Sequence, residues 1–146
     1  MEKLVFTTEI NAGKQKVWET MFHPDTYKEW VSVSWPGSYY VGNWKQGEDI
    51  RFVGSSGEGT KATLIEHKPF ERVLAKHVAV LLADGTEDST SDLAKGWVGT
   101  TESYSFTEHN GKTILTVEIH TNPEWASMFS EGWPDAVQKL KEISER

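Results

Sequence analysis

A chain of 146 residues that is 37 % hydrophobic and 25 % charged has enough apolar material for one domain with a substantial core. Its 22 acidic residues outnumber 15 basic ones, and the formal net charge of −7 argues against nucleic acid and anionic membrane surfaces as partners. With no cysteine, disulfides, thiolate chemistry and sulfur-ligated zinc are excluded.

Residues 3–10 alternate, with Leu4, Phe6, Thr8 and Ile10 on one face, which predicts a strand with one side inside. The amino terminus enters this pattern at once and lacks the apolar core of a signal peptide, and no apolar run approaches a membrane span of roughly 20 residues. A cytoplasmic protein is the expectation. Asn11 is positioned to cap a helix carrying Val17, Trp18, Met21 and Phe22 on one side. His23-Pro24 ends it, and Asp25 caps a short second helix running to Trp30. From Pro36 the period changes to two. Strands are predicted at Tyr39–Trp44, around Ile50 and Phe52, at Thr60–His67 and at Arg72–Leu81, with a flexible hairpin connection at Gly54–Gly59 and a turn at Lys68-Pro69-Phe70. Asp84–Lys95 is polar and acidic and reads as an exposed loop. Gly99–Glu108 and Lys112–Thr121 form a hairpin through Asn110-Gly111, the strongest short turn signal in the chain.

Pro123–Arg146 reads as one long helix. Asn122 and Pro123 suit its start, and Trp125, Met128, Phe129, Gly132, Trp133, Ala136, Val137, Leu140 and Ile143 recur at helical spacing. So large an aromatic stripe needs a concave partner, and the strands can supply it. The order is strand, two helices, about six strands, long helix, with no internal repeat or linker, so residues 1–146 read as a single α+β domain.

Four passages carry a family likeness: Ala12–Trp18 with His23-Pro24 and Trp30, then Gly47–Phe52, Leu64–Val73, and Gly132–Leu140. On these the chain resembles the SRPBCC (START-like, helix-grip) superfamily, in the branch of the activator of the heat-shock-protein-ninety ATPase. The resemblance implies a curved antiparallel sheet of about six or seven strands wrapped around a long C-terminal helix, with two short helices after the first strand. It also implies a hydrophobic pocket between sheet and helix. Members include carriers and sensors of apolar ligands, cyclases, hydrolases and proteins that act on chaperones, and no catalytic motif is common to them. Against the family pattern, the acidic Asp84–Asp92 stretch is expected to alter the pocket entrance, and Ala75 to enlarge the cavity.

Strand parity selects polar candidates. If Val73 and Ala75 point inward, so does His77; if Tyr104 and Phe106 do, so does Glu102. A His and a Glu on a concave face need hydrogen bonds or a wet pocket, and they suit orienting a ligand or acid–base work. Trp35, Tyr39, Tyr40, Trp97 and Tyr104 offer rings with a polar handle, and Phe52 shares the face of Ile50. On the helix, Trp125, Met128, Phe129 and Trp133 either fill the core or line a cavity, and Met128 suits an adaptable wall. No spacing supports a metal site: Glu118 and His120 fall on the outer face of their strand, and Asp84, Glu87, Asp88 and Asp92 lack a calcium-loop pattern. Gly54–Gly59 is not a phosphate cradle, and no serine sits in a nucleophile elbow. The expectation is a binding protein for a small apolar or aromatic molecule, without cofactor; a cyclase- or hydrolase-type enzyme and a chaperone-modulating partner are the alternatives.

Overall fold

The computed structural model describes residues 1–146. Its strands are β1 (Glu2–Ile10), β2 (Tyr39–Val41), β3 (Asp49–Val53), β4 (Gly59–Lys68), β5 (Arg72–Leu81), β6 (Glu87–Asp88), β7 (Thr101–His109) and β8 (Lys112–Thr121). Its helices are α1 (Lys14–Phe22), α2 (Pro24–Val31), α3 (Asp92–Trp97) and α4 (Ala126–Glu145). The strands form one antiparallel sheet in the order β1-β8-β7-β5-β4-β3-β2, with the two-residue β6 paired to β5. The sheet curls as a half-barrel, and α4 lies in its concavity. This is the helix-grip architecture.

The pleat decides which side chains enter the core. On β8, Thr113, Leu115, Val117, Ile119 and Thr121 are buried, while the residues between them are only half-covered. Asn110 and Gly111 both have positive φ, 53° and 77°, as a two-residue hairpin turn requires, and so lock the β7–β8 register. On α4, Phe129, Trp133, Ala136, Val137, Leu140 and Ile143 face the sheet.

Several local boundaries differ from the sequence reading, each for a visible reason. Asn11 does not cap α1. Gly13 holds the N-cap position, and the free Lys14 N–H donates to Glu108 Oε1 of β7 at 2.9 Å. A Cβ at Gly13 would lie 2.8 Å from that oxygen, so glycine permits the cap from across the fold. The Asn11 N–H instead donates to Glu145 Oε2 at 2.7 Å, tying the end of α4 to β1. Asp25 is not the cap of α2 either, because His23 Nδ1 accepts its N–H and Pro24 takes the first turn. β2 is only three residues long.

The acidic segment is not wholly loop. Asp88 accepts the N–H groups of Thr90 and Ser91, Ser91 caps α3, and Ala94 anchors that helix by burial. Pro123–Trp125 forms a separate 3-10 turn, capped by Asn122, before α4 begins.

Candidate functional site

Between the sheet and α4 lies a cavity of about 530 Å³. Its walls come from α2, the following turn, β3–β5, α3, β7 and the first half of α4. Phe52 lines it from β3, His77 from β5, Glu102 and Tyr104 from β7, and Trp97 from α3. Trp125, Met128, Phe129 and Trp133 all reach it from the aromatic start of the C-terminal segment. Trp35 and Tyr39 close the side nearest α2. The Trp35 ring lies directly over α4: a Cβ at Gly132 would meet it at 2.5 Å, so glycine is what lets the indole approach. The Ser34 hydroxyl fixes the same turn by donating to the Gly132 carbonyl at 2.5 Å.

The rings form a continuous network. Trp133 is its centre, with ring centroids 5.8 Å from Trp30, 5.6 Å from Trp35, 6.0 Å from Tyr104 and 6.4 Å from Phe6. Trp97 stands 5.4 Å from Trp125 and 6.0 Å from Phe129. Tilted and edge-on contacts of this kind hold rings in place without filling all the space between them.

One polar cluster interrupts this apolar wall. His77 Nε2 lies 3.2 Å from Glu102 Oε1, and the Tyr104 hydroxyl donates to Glu102 Oε2 at 2.5 Å. His77 is 2 % exposed and the Glu102 side chain 13 %. Burial opposes ionisation of Glu102, but the hydrogen bond and the charge interaction with His77, and then the hydrogen bond from Tyr104, outweigh it and hold the carboxyl below its ordinary range. Burial first, then the charge of Glu102, pushes Tyr104 well above its ordinary value, and the same two causes raise Tyr27. Both tyrosines therefore stay protonated, and Tyr104 donates to the carboxylate.

Such a depressed carboxyl stabilises the fold above its unfolded value of 4.5 and loses that contribution as pH falls through the lower, folded value. Glu102→Gln is expected to melt below the native protein at neutral pH. The gap between the two melting temperatures should narrow steadily below about pH 4.5, as followed by circular dichroism. A gap independent of pH would mean that the loss is one of shape and not of charge.

A model of the family described as Activator of Hsp90 ATPase homolog 1-like protein matches residues 11–145. The chain belongs to this family. No curated protein matches the sequence. Among solved structures, this family member is similar to MLL2253 from Mesorhizobium loti, with TM-score 0.75, 14 % identity, and 97 % of this chain and 96 % of that one covered. It is similar also to the Aha1 dimer from Colwellia psychrerythraea, with TM-score 0.73, 18 % identity, and coverage of 99 % and 97 %. Ms6760 from Mycobacterium smegmatis gives TM-score 0.71 and 16 % identity, with coverage of 97 % and 89 %. Likeness at this identity speaks for the fold alone.

Within this Activator of Hsp90 ATPase homolog 1-like fold, two residues named from sequence stand away from the cavity. Tyr40 turns its hydroxyl to the Phe22 carbonyl and packs on Tyr27 and Trp44, so it braces α2. Ala75 is fully buried in the core and does not enlarge the cavity. Glu118 and His120 lie on the outer surface, where Glu118 pairs with Lys3 and His120.

Conversely, Tyr27, Trp30 and Val31 of α2 line the cavity and were not singled out from sequence. Their helical spacing was the available signal. Val80 is hidden in the sequence by a change of parity. β5 carries one extra residue opposite Lys61/Ala62, so the side-chain alternation that brings His77 inward changes after Val78. No residue of the acidic Asp84–Asp92 stretch lines the cavity; the residue after it, Leu93 of α3, does and is 50 % exposed.

Proposed function

We propose that the protein binds a small hydrophobic or aromatic molecule between sheet and α4, as a carrier or sensor. The observation that supports this reading is the cavity itself. A core meant only for stability fills with side chains, since each void forfeits packing contacts. Here about 530 Å³ stays open behind ordered rings, with one hydrogen-bonded cluster at its wall. That volume lies within the range of small-molecule sites, roughly 300–1,000 Å³. Apolar burial at about 25 cal/mol per Å² drives entry, and Glu102, His77 and Tyr104 set orientation. The test is a thermal-shift screen against lipids, flavonoids and aromatic polyketides. A saturable rise from one chemical class is the expected result. No rise from any class would count against a ligand site.

The His77–Glu102 pair favours a second reading, in which the same cavity catalyses a cyclase- or hydrolase-type reaction by acid–base transfer. His77→Ala would then abolish turnover while ligand still raises the melting temperature; an unchanged rate removes the reading. The family description and the Colwellia structure also raise action on a chaperone ATPase. Such a role works through an outer surface, and the ATPase rate of heat-shock protein ninety with and without this protein decides it.

A further inference from the structure

The cavity wall carries carboxylates but no ammonium or guanidinium group. Among its 23 lining residues, Glu102 and Glu58 are the acidic ones, and none is Lys or Arg. Two of the basic residues on the neighbouring strands, Lys61 and Arg51, are engaged with Glu87 at 2.6 Å and 2.7 Å.

The Glu102 carboxylate accepts one hydrogen bond on each oxygen, from His77 and Tyr104, which leaves lone pairs free on both. His77 Nδ1 is buried with no partner. The ring reaches Glu102 through Nε2 alone and leaves the remaining lone pairs of the carboxylate facing the cavity. The flanking groups are aromatic: His77 lies 5.7 Å from Trp97 and 6.1 Å from Phe52, and Tyr104 lies 6.0 Å from Trp133.

We propose that the ligand class of this cavity is an apolar or aromatic organic cation, a protonated amine held by Glu102 among the indole rings. This rests on the reading of the cavity as a ligand site. An ammonium fills the vacant lone pairs of Glu102 and meets ring faces, which attract cations by their quadrupoles. A carboxylate there would be a buried anion beside an anion, with no Lys or Arg on the wall to pair with it. The net charge of −7 favours approach of a cation as well.

Three probes of one shape test it: 2-naphthylmethylamine, 2-naphthalenemethanol and 2-naphthoate, titrated at neutral pH by calorimetry. The amine is expected to bind about tenfold tighter than the alcohol, since both donate to the carboxylate but only the ammonium adds an opposite charge beside it. The naphthoate should bind weakest. In Glu102→Gln the amine should lose its advantage over the alcohol, the two binding alike, and the binding that both retain reports an intact cavity. If that variant fails to fold, the ranking of the three probes on the native protein decides alone. Equal binding of amine and alcohol, or preference for naphthoate, overturns the cation assignment and leaves the cavity a ligand site. No binding of the three while a neutral compound from the thermal-shift screen does bind also overturns it. No binding of anything overturns both readings.

Discussion

Val80→Trp is expected to abolish ligand binding while leaving the protein folded. Val80 is buried on β5 and faces the cavity, next to Thr60 on β4. An indole placed there occupies the space that a ligand would take and adds apolar contacts that the native cavity lacks. For the native protein, a ligand at a hundred times its Kd stabilises by about 2.7 kcal/mol. In a chain of this length that amounts to a rise of roughly 5–10 °C in Tm. The variant should show less than about 1 °C under the same conditions, with a basal Tm equal to or above the native one, because the added ring fills existing space. The same titration by differential scanning calorimetry checks both halves. A full ligand response in the filled variant would locate binding elsewhere on the molecule.

Trp133→Ala is expected to cause a large loss of stability. Trp133 is 4 % exposed and is the one ring that joins α2, β1, β7 and the turn after α2, through Trp30, Phe6, Tyr104 and Trp35. Truncating a buried aromatic of this kind costs about 3–5 kcal/mol, from lost burial and from the cavity left behind. The wall already borders open space, so the neighbours have little to relax against, and the upper half of that range applies. Tm should fall by roughly 10–15 °C. Met128→Ala provides the contrast. Met128 is 37 % exposed at the rim of the same cavity, and its truncation should stay within about 0.5 kcal/mol. Chemical denaturation of both variants measures the difference. Equal, small losses would mean that the ring network is not what holds α2 and α4 against the sheet.

The fold was legible because its signals are periodic and long. The β8 alternation, the Asn110-Gly111 turn and the stripe from Phe129 to Ile143 each repeat one rule over many residues. Inward placement of His77 and Glu102 followed from that alternation, and the structure brings them within hydrogen-bond reach. The alternation stops being informative at Val78, where one extra residue changes the parity and hides Val80 from a sequence reading.

Caps were read worst, because their partners are not local. The first turn of α1 is satisfied by Glu108, 94 positions away, and nothing near Gly13 announces it. α3 was hidden for a related reason. Six residues with one buried side chain, Ala94, carry no period, and only Ser91 as a cap marks the start. The open volume itself was unreadable in size: whether Trp125, Phe129 and Trp133 meet other side chains or space depends on how far the sheet curls.

The measurement that bears most directly on the central claim is a ligand titration followed at the indole N–H signals by 15N NMR. The chain has seven tryptophans, and five of them, Trp30, Trp35, Trp97, Trp125 and Trp133, line the cavity. Trp18 and Trp44 do not line it: Trp18 packs in the core against Phe106, and the half-buried Trp44 packs against Phe22 and, from outside the cavity, against Phe52. A compound from the thermal-shift screen should move the five cavity signals saturably, along one binding curve, and leave those of Trp18 and Trp44 in place. Saturable shifts confined to Trp18 and Trp44, or no shift at the five while the compound still binds, would contradict a ligand site between the sheet and α4.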